Sequence, residues 1–333
     1  MSSFTELNES QLRQFIDAEA VFRGHEEATE QVLAVRGSMI WKTTTSGRYL
    51  VRTSSKGAQK SLGRDGPEQQ RIYADFHARK GEAETRLRAL AEQLDLQERL
   101  NRAQRVGRVP GVVINVLSEI AAAGLGESFV VIGTHALYAY EAAAGVRFQD
   151  GAVATRDVDL LFNMEKRLAF SSGLARLDTS LLSVLRRADP SFRLVEDQKY
   201  TAQNDSGYQV DIVRRVAGEH DPHPYRMSGF EEDFWPVQVA MGSRLMGARP
   251  FEHVVVATTG AMALMRTIHP LDFARIKRDL AGRIDREPLK RRKDLMQAEA
   301  IEGLVSQYLP QLKERVEPVK APDQSATRRR PKP

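Results

Sequence analysis

The stretch from Phe129 to Phe162 leaves this chain the least freedom. Phe129-Val130-Val131-Ile132 is apolar and mostly β-branched, the composition of a buried strand. Gly133-Thr134 interrupts it, and His135-Ala136-Leu137-Tyr138-Ala139-Tyr140 has helical character. Between Ala139 and Thr155 the residues are small and glycine-containing, as suits a loop at the mouth of a site. Then come Asp157-Val158-Asp159 and the apolar Leu160-Leu161-Phe162. Alternate residues of a strand share a face, so Asp157 and Asp159 project together while Val158 faces a core. Two carboxylates held that close repel unless a cation sits between them. For hard oxygen donors the fitting cation is Mg²⁺ or Mn²⁺.

A third carboxylate belongs to the same argument. Tyr208-Gln209-Val210-Asp211-Ile212-Val213 alternates around Asp211, with apolar neighbours on either side. An aspartate in the middle of such a strand needs a partner, and a metal shared with Asp157 and Asp159 would be one. The histidines His220 and His223 also have ligand chemistry, but Pro222 and Pro224 make their segment read as a turn.

The remainder of the chain supplies a frame. Gln11 to Val35 has helical spacing. Residues 38–45 and 48–53 read as a β-hairpin around Ser46-Gly47, with Trp41 and Tyr49 in its core or, alternatively, stacking on a base. Lys60 to Glu68 reads as a loop leading to a helix, with Asp65 as cap and Pro67 in the first turn. Glu68 to Gln104 is a long charged helix, with Gly81 a candidate break and Glu82/Arg86 and Asp95/Arg99 among its i,i+4 pairs. Val112 to Ala123 is a short apolar helix; Ser171 to Ala188 reads as one helix ended by Pro190; Phe192 to Val195, Lys199 to Ala202 and Val254 to Val256 read as strands. Helices are expected over Thr259 to Thr267, Leu271 to Arg283 and Pro288 to Tyr308. The resulting division is 1–110, 111–250, 251–316 and a basic tail at 317–333, expected to be disordered.

Composition narrows the chemistry. The chain has no cysteine, which removes disulfides and thiolate metal sites and fits a cytoplasmic setting. The first residues lack the basic start and apolar centre of a secretory signal, and no apolar run nears the ~18 residues of a membrane span. The formal charge is +5, of which residues 318–333 supply Lys320, Arg328, Arg329, Arg330 and Lys332 against Asp323. Such a tail is either a solvated end or a contact for a polyanion.

Gly133-Thr134, Asp157-x-Asp159 and a later strand aspartate, in that order, resemble the polymerase-β-like nucleotidyltransferase superfamily. Its pattern is a hydrophobic strand, Gly-Gly/Ser, then Asp-h-Asp/Glu-h and a third carboxylate on a later strand. Thr134 stands where serine is usual and keeps the hydroxyl, and the first spacings are somewhat long. A closer resemblance, covering most of the chain, is to a bacterial family of nucleotidyltransferases. It is carried by Ser38-Met39-Ile40-Trp41-Lys42, Gly107-Arg108-Val109-Pro110, Ile132-Gly133-Thr134-His135, Thr155-Arg156-Asp157-Val158-Asp159, His269-Pro270-x-Asp272-Phe273 and Lys293-Asp294-x-x-Gln297.

The resemblance implies an α/β (α+β) fold: a mixed sheet with flanking helices, an N-terminal hairpin and helical region, and a C-terminal helical subdomain. It implies Asp157, Asp159 and Asp211 as catalytic metal ligands, holding two Mg²⁺ (or Mn²⁺) ions about 4 Å apart. Gly133 and Thr134 would hold nucleoside triphosphate at a helix N-terminus. Lys277, on the helix after His269-Pro270, is either a phosphate-binding cation, the first choice ahead of Lys290 and Lys293, or an exposed helix lysine. From the residues themselves, His135 is a nucleotide contact or a hydrogen-bonded structural histidine, and Asp294 reads as an ion-pair partner for Lys290 rather than a site residue. The implied reaction moves NMP from an NTP to an acceptor hydroxyl on RNA or tRNA, protein or a small molecule, releasing pyrophosphate. The alternatives are an inactive binding or regulatory protein of the same fold, or a toxin-type enzyme of phage defence.

Overall fold

The computed structural model describes residues 4–153 and 155–313; the tail expected at 317–333 lies outside them. Two compact units divide between His269 and Pro270. In the first, strand β1 (Phe4–Glu6) and helix α1 (Glu9–Ala34) precede a three-stranded sheet of β2 (Ser38–Thr44), β3 (Gly47–Thr53) and β4 (Gln59–Arg64). Helix α2 (Pro67–Gln104) follows, then α3 (Gly111–Ala122) and β5 (Phe129–Ile132). A 3₁₀ turn over Gly133–Ala136 leads into α4 (Leu137–Ala144), β6 (Val146–Phe148), α5 (Asp150–Val153) and β7 (Asp157–Phe162). Next come α6 (Arg167–Leu177), α7 (Leu181–Ala188), β8 (Arg193–Val195), β9 (Gln198–Gln203) and β10 (Gln209–Arg215). Strand β11 (Val237–Val239), α8 (Gly242–Met246), β12 (Pro250–Val256) and β13 (Met262–Ile268) complete it. The second unit is helical, built from α9 (Pro270–Ala281) and α10 (Pro288–Gln307).

The central sheet is mixed, in the order β5-β7-β10-β9-β8, with β11 beside the far half of β10. Strands β7 and β10 run parallel, pairing Gln209 with Asp157 and Asp211 with Asp159. Strand β5 lies antiparallel on the other edge of β7, with Ile132 opposite Asp159. One face of these strands is sealed: Val158, Leu160, Phe162, Val210 and Ile212 are all buried. Phe129, Phe162 and Phe170 meet there with ring centroids 4.9–5.6 Å apart, and each such side chain contributes about 1.5–3 kcal/mol through burial. That packing holds the register, since a one-residue slip would turn every apolar side chain outward.

The N-terminal region is an α1–α2 hairpin carrying the small sheet. Helix α2 runs through Gly81 without a break. Asp95 and Arg99 pair at 2.9 Å as expected, but Arg86 turns to Glu27 of α1 at 3.4 Å. Met39, Leu50 and Phe76 form a core between sheet and helix, with Trp41 against it; Tyr49 is on the opposite face, opposite Lys42 across the ladder.

Four expectations are corrected. Lys60 to Arg64 is not a loop but most of β4, paired to β3 through a bulge. The loop expected from Ala139 to Thr155 contains β6 and α5. The single helix expected over Ser171 to Ala188 is two, divided at Asp178, whose φ of +49° ends α6. Thr259 to Thr267 is not a helix: Met262–Ile268 is strand β13, paired antiparallel with β12 over seven residues. Its alanine, leucine and methionine favour helix, but hydrogen bonding to β12 decides the outcome.

Candidate active site

Three carboxylates converge on the open face of the central sheet. The parallel register puts Asp211 directly beside Asp159, and strand periodicity puts Asp157 on the same face. Ligand oxygens of Asp157, Asp159 and Asp211 all lie within 4.8 Å of one another. All three side chains are half-buried. Among the described residues they form the one such cluster with metal-ligating chemistry. His220 and His223 do not form another: His223 Nδ1 accepts from Arg214 at 2.9 Å.

The neighbours of the triad are hydroxyls. Thr155 Oγ1 donates to Asp157, and Thr201 Oγ1, from the paired position on β9, donates to Asp211 at 2.6 Å. The sequence gives neither threonine a site role, although Thr155 opens the Thr155–Asp159 motif. Thr155 was visible as the residue two before Asp157, whereas Thr201 becomes visible only through the β9–β10 register. Burial pushes the Asp211 carboxyl above its ordinary range; the Thr201 hydrogen bond opposes this and the charge of Asp157 adds to it.

Gly133 is where backbone and triad meet. Its φ is +68°, a conformation glycine adopts without penalty. A Cβ there would come within 2.4 Å of Asp159 Oδ2, so the turn closes on the carboxylate because no side chain intervenes. Thr134 follows in the same 3₁₀ turn. His135 is buried, and its Nε2 is hydrogen-bonded to the hydroxyl of Tyr208, just before β10. Burial raises the Tyr208 phenol above its ordinary pKa, with Tyr138 and Asp157 adding to the effect. The pair ties the end of the Gly-Thr turn to the entry of the strand bearing Asp211.

Lys277 lies in the C-terminal helical unit. It is buried, and its Nζ donates to Asp294 at 2.8 Å. Asp294 also accepts from Arg286 at 2.8 Å, so its partners are Lys277 and Arg286 rather than Lys290. Lys290 pairs instead with Glu287 at 3.5 Å.

The arrangement fits a divalent cation. Three oxygen-donor side chains gather within one coordination sphere, and no lysine or arginine pairs with Asp157 or Asp211 among the described residues. Like charges at that spacing call for a hard cation. A strand, a Gly-Thr turn closed onto Asp159 and three carboxylates on neighbouring strands thus meet at one place on the sheet. A family model described as nucleotidyltransferase matches residues 112–318, and the chain belongs to that family. No curated protein and no solved structure matches the chain. No helix among the described residues is long and apolar enough to cross a membrane.

Proposed function

We propose that the protein transfers the NMP group of a nucleoside triphosphate to an acceptor hydroxyl, with pyrophosphate as the leaving group. The observation that carries the reading is the convergence of Asp157, Asp159 and Asp211 within 4.8 Å, with the Gly133 turn closed onto Asp159. The three aspartates would hold Mg²⁺ or Mn²⁺. When bound, such a metal neutralises triphosphate charge and acidifies a coordinated hydroxyl.

The chain's own residues supply the positioning. Backbone N–H groups of the Gly133-Thr134 turn, and the Thr134 hydroxyl, face a phosphate. Asp211 serves as ligand and as acceptor of the attacking hydroxyl's proton. Thr155 and Thr201 hold Asp157 and Asp211 in their rotamers, so that little reorganisation is needed on binding. Residues 111–250 form the catalytic part in this reading.

The test is incubation of the full chain with each α-labelled nucleoside triphosphate, Mg²⁺ or Mn²⁺, and RNA, protein and small-molecule fractions of a cell extract. Label transfer that vanishes in Asp157→Ala and Asp211→Ala is the expected result. Transfer unchanged in those variants overturns the proposal.

A further inference from the structure

The three-stranded sheet β2-β3-β4 is strongly basic. Residues 38–65 hold Lys42, Arg48, Arg52, Lys56, Lys60 and Arg64 against Asp65 alone. Their net charge equals the +5 of all 333 residues, so the other residues sum to zero. Arg48 lies 4.7 Å over Trp41 and pairs with Asp65 at 3.4 Å, and Lys56 Nζ donates to the Arg176 carbonyl at 3.4 Å. Arg52 is structural, lying 4.2 Å over Phe76 and donating to two carbonyls. Lys42, Lys60 and Arg64 are exposed.

The register sorts these residues by face. Met39, Trp41 and Leu50 face α2. On the other face, cross-strand pairing sets Lys42 beside Tyr49 and Tyr49 beside Arg64, one row across three strands. The bulge in β4 is what brings Arg64 into this row. The Arg64 guanidinium lies over Gly47, with Nε 3.0 Å from where a Cβ would stand. Next along β2, Ile40 is 46% exposed. Strands are about 4.8 Å apart, so Lys42 and Arg64 flank the tyrosine across roughly 10 Å.

From this row we infer that the β2-β3-β4 face binds single-stranded RNA. A base stacked on Tyr49 leaves its flanking phosphates to Lys42 and Arg64, the combination of aromatic platform and cations that single strands require. A duplex hides its base faces, and a lipid surface would find only Ile40 to insert.

The experiment is fluorescence anisotropy of the full chain with a labelled mixed-sequence 20-nucleotide RNA, without nucleotide, over a series of salt concentrations. Binding is thus read separately from transfer, and Asp157→Ala should bind RNA as the native chain does even if transfer is never found. Affinity is expected to fall linearly with log salt. Lys42→Ala/Arg64→Ala should flatten that slope by about 1.4, two phosphate contacts at ~0.7 each. Tyr49→Ala should weaken binding about tenfold with the slope unchanged, and Tyr49→Phe should restore it. Circular dichroism checks that each variant is folded; Lys42 and Arg64 are exposed, so their double variant keeps the test alive if Tyr49→Ala unfolds. Native affinity in the double variant overturns the inference. So does equal affinity for a duplex of the same length, or binding to anionic vesicles or self-association that depends on the same three residues in place of RNA.

Discussion

Two groups of buried or half-buried aspartate in this molecule resolve the same electrostatic problem in opposite ways. Asp294, in the helical C-terminal unit, takes a lysine and an arginine, each at 2.8 Å. Asp157 and Asp211, on the central sheet, take threonine hydroxyls and, among the described residues, no cationic side chain, although each lies within a few ångströms of other carboxylates. The first arrangement is electrostatically complete and holds helices together. In the second, no cation among the described residues balances Asp157 or Asp211, and the spacing suits a bound one. Asp211 expresses this directly, since burial and Asp157 both push its carboxyl upward.

Substitutions should separate the two groups, and the largest effect belongs to the triad. Asp157→Ala or Asp211→Asn should lower nucleotidyl transfer by at least about a thousandfold, the scale of losing groups that stabilise transition-state charge. Thermal stability in EDTA should be unchanged or higher, because a repulsion is relieved; a large fall in Tm would make the triad structural. Asp294→Ala should do the reverse to stability, costing about 3–5 kcal/mol in urea unfolding because Lys277 is left buried and unpaired. A loss below 1 kcal/mol would end the contrast.

Gly133→Ala should come next. It forces a side chain into a φ of +68° and against Asp159, at about 1–2 kcal/mol of strain, and should depress transfer more than stability. Thr201→Val should cost about 1 kcal/mol and, by removing a hydrogen bond that favours the carboxylate, move the acid limb of the pH–rate profile upward.

The smallest effect is on stability against pH. The folded pKa of Asp211 is raised above its unfolded value, so the folded state binds more protons in the interval between them. Its contribution is fully present below the unfolded value and is lost as pH rises through the folded one. In metal-free protein, Asp211→Asn should therefore gain stability relative to the native chain as pH rises through that interval. A gain on acidification would contradict the shift.

The site was more legible in the sequence than its surroundings, for a physical reason. Asp157-x-Asp159 beside Leu160-Leu161-Phe162, and Asp211 among Val210, Ile212 and Val213, carry a two-residue period that specifies both strand and face. Strand β13 carries no such alternation, and only its seven pairs to β12 make it a strand. The Lys60–Arg64 segment, with Gly63 inside it and Gly66-Pro67 just beyond, reads as a loop until β3 offers a partner. Thr201, Tyr208 and the Lys42-Tyr49-Arg64 row share that dependence: each acquires its role from a register that local pattern does not encode. Asp294 found the wrong lysine in the sequence because i,i+4 spacing favoured Lys290, whereas packing between α9 and α10 brings Lys277.

The most direct test is a Mn²⁺ titration of the full chain followed by electron paramagnetic resonance, which counts bound metal without requiring the acceptor to be known. Saturable binding that disappears in Asp157→Asn and Asp211→Asn and persists in Asp294→Asn is the predicted result. Binding of equal strength in the Asp211→Asn protein would contradict it, because the cation would then not be held by the shared aspartates of β7 and β10.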